Sequence, residues 1–103
     1  MDYPVDDMLD ILDSWMREFG CKIDVDPYGG LHKIHRYVSR NGNEYQVGAD
    51  QRNGHWDVYQ KYHNIPRTWR AMLVSRGDAT QDAMHAMMEM RQLADDSSSM
   101  AMN

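Results

Sequence analysis

The first twenty residues, MDYPVDDMLDILDSWMREFG, limit the possible folds more than any other stretch. Val5, Met8, Leu9, Leu12, Trp15, Met16 and Phe19 recur at the i, i+3, i+4, i+7 spacing of a single helical face. Asp6, Asp7, Asp10, Asp13, Ser14, Arg17 and Glu18 fall on the other face, and Ile11 is the only large apolar residue off the stripe. Pro4 suits a first turn, and acids there oppose the positive end of the helix dipole. Gly20 is placed to end the helix in a left-handed conformation. A helix with so apolar a stripe needs an apolar surface to cover.

That surface is expected in the next fifty residues, where the period changes from 3.6 to two. Cys21, Ile23 and Val25 alternate with Lys22, Asp24 and Asp26, and DPYGG then reads as a turn. LHKIHRYVS, residues 31–39, is a second strand. Asn41-Gly42 predicts a tight hairpin of type I′, with EYQVGA as the return strand and Tyr45, Val47 and Ala49 on one side. After a turn at Asn53-Gly54, HWDVYQKY alternates again, with Trp56, Val58 and Tyr62 inward and Asp57, Tyr59 and Lys61 outward. HNIPRT connects to a short last strand, WRAMLV. Past the loop SRGD a second helix is predicted, capped by Asp78 or Thr80, with Ala79, Ala83, Ala86, Met87, Met90 and Ala94 inward. Gln81, Asp82, His85, Glu89 and Arg91 are placed on its surface.

The expected fold is therefore α+β: an N-terminal helix, an antiparallel sheet of four or five strands and a C-terminal helix, with both helices on one sheet face. Residues 1–94 form one domain, and 95–103, DDSSSMAMN, have no period and read as a flexible C-terminal tail. The element order resembles that of double-stranded-RNA-binding domains. Those domains carry a basic loop and a lysine-rich start to the last helix, where this chain has DATQD, so their function does not transfer.

Charge is distributed unevenly. Residues 1–20 hold six acids and one base, which equals the net charge of −5 of all 103 residues. Residues 22–76 hold nine bases and five acids, and residues 77–103 five acids and one base. Asp6, Asp7, Asp10 and Asp13 make a negative ridge suited to a protein partner with a basic surface, since complementary potentials raise association rates and select partners. Met84 and Met88 fall beside the inward stripe of the second helix and would offer an adaptable apolar contact to a partner or to a second copy of the chain.

No catalytic motif accompanies these features. The five histidines lack a metal-ligand spacing; His32 and His35, three apart on a strand, point to opposite faces. The single Cys21 offers no CxxC, and neither GxxxxGK[ST] nor GxGxxG occurs. No cofactor and no metal is expected. No apolar run approaches the roughly 18 residues of a membrane span, and the start of the chain is acidic where a signal peptide would be basic, so a cytoplasmic location is expected. A competing surface is the sheet face. Lys33, Arg36, Tyr37, Tyr59, Lys61 and Arg70 there would combine phosphate-holding cations with base-stacking rings, as in a module for single-stranded nucleic acid. In size, acidity and lack of motifs the chain resembles the small proteins of phages and mobile elements. Many of these block host nucleases or defence complexes, anti-CRISPR and anti-restriction proteins among them. The resemblance implies a non-enzymatic protein-binding inhibitor.

Overall fold

The computed structural model describes residues 3–27, 30–60, 67–73 and 79–101, with the backbone alone at 60, 67–73 and 93–101. The order is α1 (Val5–Glu18), β1 (Lys22–Val25), β2 (His32–Val38), β3 (Glu44–Asp50), β4 (His55–Gln60), β5 (Arg67–Leu73) and α2 (Ala79–Ala101). The five strands form one antiparallel sheet in sequence order, β1-β2-β3-β4-β5, as a meander of short connections must. The α+β reading holds. The helix continues in its backbone to Ala101, past Ala94, where the apolar period ends and the sequence reading begins the tail.

Register shows which face the helices cover. Tyr37 stands opposite Tyr45, His35 opposite Val47, and Val47 opposite Val58, while Ala49 pairs with Trp56. All seven are buried, together with Val5, Met8, Leu9, Leu12 and Met16 of α1 and Ala83, Ala86 and Met90 of α2. The core thus lies between one sheet face and both helices. Each fully buried side chain of this size is worth roughly 1.5–3 kcal/mol. The five apolar ones on α1 anchor that helix by a gross term on the order of 10 kcal/mol, before the entropy of ordering the chain.

The ends of the stripe differ from the sequence reading. Trp15 is only partly buried, and Phe19 is 66% exposed, because α1 stops at Glu18 and the chain turns away. Gly20 takes φ +83°, as its position after the helix requires, and a side chain there would collide with the Arg40 guanidinium.

The β2–β3 hairpin forms where Asn41-Gly42 predicts it, but with its turn one residue earlier. The Gly42 N–H donates to the Ser39 carbonyl at 2.9 Å and the Ser39 N–H to the Asn43 carbonyl at 2.8 Å. Arg40-Asn41 is therefore the central pair, and Gly42, at φ +85°, takes the left-handed position beside it, the pattern of a three-residue loop with a bulge. At the β3–β4 loop, Gly54 (φ +73°) lies under the Tyr3 ring, which ties the N-terminal segment to the sheet.

Candidate functional site

Asp6 and Asp7 occupy the first turn of α1 and Asp10 the next; all three are exposed. None forms an ion pair with another described residue. The helix beneath them is held by apolar burial rather than by charge, so their carboxylates remain available to a partner.

Asp13 does not belong to this ridge. It is only 7% exposed. Its Oδ1 accepts a hydrogen bond from the Tyr37 hydroxyl at 2.6 Å and lies 2.9 Å from His35 Nδ1. An ionised carboxylate only accepts, so Nδ1 carries the proton that is shared. The reason is angular. Asp13 follows Leu9 by four residues, about 40° around the helix, which leaves it on the edge of the buried sector. The strand opposite presents two polar groups there. Tyr37 is fully buried, contrary to its expected place on an exposed sheet face, and His35 is only 8% exposed. Burial, followed by the hydrogen bond and the negative charge of Asp13, pushes the Tyr37 phenol far above its usual value. Arg17 pulls the other way.

An acid, an imidazole and a phenol within hydrogen-bond reach invite a catalytic reading, but the chemistry does not follow. The phenol is held protonated as a donor, and the trio lies under α1. Cys21, the nearby thiol, is itself pushed up by burial and is a poor thiolate. The trio acts as a polar latch between α1 and β2. Among the described residues no three His, Cys, Asp or Glu side chains converge to hold a metal ion.

The expected nucleic-acid face divides. Lys33, opposite Ala49, and Tyr37, opposite Tyr45, are on the helix-covered side of β2. Arg36 and Tyr59 are on the open side, each opposite Gln46. Arg36 lies 3.4 Å from Asp24, and Arg52 holds Asp50 through paired contacts of 3.0 and 2.7 Å that keep the Asp50 carboxyl well below the usual carboxylate range. Lys61 and the side chain of Arg70 are outside the described residues. Arg36, the one expected cation described on the open face, thus already has a carboxylate partner, and the stacking pair Tyr37–Tyr59 is split across the sheet.

On α2, Met84 and Met88 are 44% and 58% exposed. Beside them, Met16, Phe19, Tyr45, Met87, Met90 and Arg91 line an apolar groove of about 390 Å³ at the junction of the two helices. Asp82, expected on the surface, is buried in the first turn of α2, where its charge opposes the helix dipole. No described helix is long and apolar enough to cross a membrane.

Sequence reasoning missed His35 as a latch residue and the convergence of His32 and Asp57 over Gly48 on the open face. The hairpin carried the signal for the first. Once Tyr45 is placed inward, a turn centred near Asn41 places Tyr37 and His35 inward too. No protein-family model, curated protein or solved structure matches this chain.

Proposed function

We propose that this chain is a non-enzymatic protein-binding module that docks the acidic surface of α1 on a basic partner. The partner class is a nucleic-acid-handling or defence complex, and the outcome is inhibition, as in anti-CRISPR and anti-restriction proteins. One observation carries the reading: Asp6, Asp7 and Asp10 are exposed and form no ion pair with another described residue, on a helix that apolar packing already holds. Such a rigid row of like charge mimics the spacing-tolerant charge of a phosphate backbone and steers a basic groove toward it. Met84 and Met88, on the second helix, supply adaptable apolar contact area. The nucleic-acid reading is weaker, since the surface it needs is split and partly neutralised.

The test compares wild type with the triple variant Asp6→Asn, Asp7→Asn, Asp10→Asn. The variant retains the fold, because none of the three is buried. Purified guide-loaded nucleases and restriction enzymes are assayed for DNA cleavage with each protein at low and high salt. Inhibition by wild type that is lost in the variant, and that weakens with salt, supports the reading. Equal behaviour of the two proteins at low salt removes α1 as the binding surface. Direct, salt-sensitive binding of single-stranded DNA or RNA by the chain alone favours the sheet face instead.

A further inference from the structure

The sheet is a meander, so β1 is one of its edges. Its pairing with β2 fixes which backbone groups point out. The Asp26 N–H donates to the Ile34 carbonyl at 3.0 Å, and Asp24 and Lys22 stand opposite Arg36 and Val38 in the same register. Bonded and non-bonded pairs alternate in an antiparallel ladder, so the N–H and C=O of Ile23 and Val25 point away from β2. No turn, loop or side chain among the described residues takes these groups up. The apolar side of the edge is also unfinished. Ile23 and Val25 stand opposite Tyr37 and His35 on the helix-covered face, yet Val25 is 49% exposed. On the open face β1 carries one charge of each sign, Lys22 and Asp24, both exposed.

We propose that β1 pairs with β1 of a second copy of the chain, antiparallel about a two-fold axis at Ile23, joining two five-stranded sheets into one. Such an interface is isologous, so each contact occurs twice. Ile23 exchanges both backbone bonds with Ile23 of the second copy, and each Val25 N–H reaches the Cys21 carbonyl across the axis. Cys21 only accepts there, because its N–H donates to the Met16 carbonyl at 3.0 Å. Lys22 then lies opposite Asp24 at the non-hydrogen-bonded positions, where side chains across an antiparallel pair come closest. Lys22 forms no ion pair with another described residue, and the Asp24 side chain is 72% exposed despite its 3.4 Å contact with Arg36. On the other face Ile23 meets Ile23, and Val25 meets Cys21, which covers the exposed valine. Charge selects this register. An axis at Asp24 sets Asp24 against Asp24. An axis at Val25 sets Asp24 against Asp26 and brings Pro27, which has no N–H, across from Ile23. A foreign strand must supply the matching pattern, whereas a second copy carries it by construction. The edge uses none of Asp6, Asp7 and Asp10, so the proposal stands whether or not the acidic helix binds a partner.

The experiment is sedimentation equilibrium of the full chain from micromolar to millimolar concentration at physiological ionic strength. The mass should rise from 12.1 kDa toward twice that value. Two four-residue edges make a small interface, so dissociation falls in the micromolar-to-millimolar range. Lys22→Asp and Asp24→Lys each place like charges across the axis and should each weaken self-association at least about tenfold. An equimolar mixture of these two variants restores opposite charges at both positions and should form a mixed dimer with wild-type affinity. Val25→Pro removes an outward N–H that the pairing with β2 does not use and should weaken association by a similar factor. Far-UV circular dichroism and urea midpoints check that each variant is folded; if one is not, the others decide. The proposal is overturned if wild type stays at 12.1 kDa at millimolar concentration, if the folded variants associate as wild type does, or if the mixture associates no more than its components.

Discussion

Tyr37→Phe is the sharpest perturbation this fold allows, because it deletes one oxygen and nothing else. The ring stays, so no cavity opens, and the fully buried position gains no polar atom. What is lost is a 2.6 Å hydrogen bond from the phenol to the Asp13 carboxylate. Hydrogen bonds to charged groups contribute about 1.5–3 kcal/mol net, so we expect a cost of about 2 kcal/mol. With a urea m-value of about 1–3 kcal/mol/M, the midpoint falls by roughly 1 M. Asp13→Ala should cost more, about 3–5 kcal/mol, because it strips the acceptor from two buried donors, Tyr37 and His35. The double variant should cost less than the two single costs together, by about 0.5–3 kcal/mol, since the second change removes a partner already lost. Asp10→Ala, one turn earlier and exposed, should stay within about 0.5 kcal/mol of wild type. The assay is urea unfolding followed by tryptophan fluorescence, with m compared across variants. If Tyr37→Phe unfolds at the wild-type midpoint, or if Asp13→Ala costs no more than Asp10→Ala, Asp13 is a solvated surface acid and the latch does not exist.

Three further outcomes follow from the packing. The raised Tyr37 phenol gives an alkaline signature: its stabilisation is complete below the unfolded-state value of about 10 and is lost as pH rises above it, because only the unfolded chain then releases the proton. Wild type should therefore lose stability faster than Tyr37→Phe above that pH, measured as urea midpoints across the alkaline range; parallel curves would contradict the burial of the phenol. Trp56→Ala, at a site 1% exposed, should cost about 3–5 kcal/mol, whereas partly buried Trp15→Ala should cost about half as much, read from the same melts. Cys21, with its thiol pushed up by burial, should react with an aromatic disulfide at mildly alkaline pH more slowly in the native protein than in urea; equal rates would place it in open solvent.

Periodicity alone was enough for the element order, the inward residues of β3 and β4, and the apolar stripes that bring two helices onto one sheet face. These depend on local spacing, which the chain carries wherever it goes. The hairpin was legible as well, because Gly42 is needed for a left-handed residue whichever turn surrounds it; the hydrogen bonds at Ser39 chose the turn. The fates of individual polar residues were not legible. Asp10 and Asp13 are the same residue type on neighbouring turns of one helix, yet one faces water and the other a buried tyrosine and histidine. An aspartate at the edge of an apolar sector can point either way, and the choice depends on what the facing strand presents across the interface. Likewise the paired register of β2, β3 and β4 sent Tyr37 inward, left Arg36 and Tyr59 on the open side, and gathered His32 and Asp57 over Gly48. Such groupings join residues far apart along the chain, so they exist only once strand pairing has set who stands opposite whom.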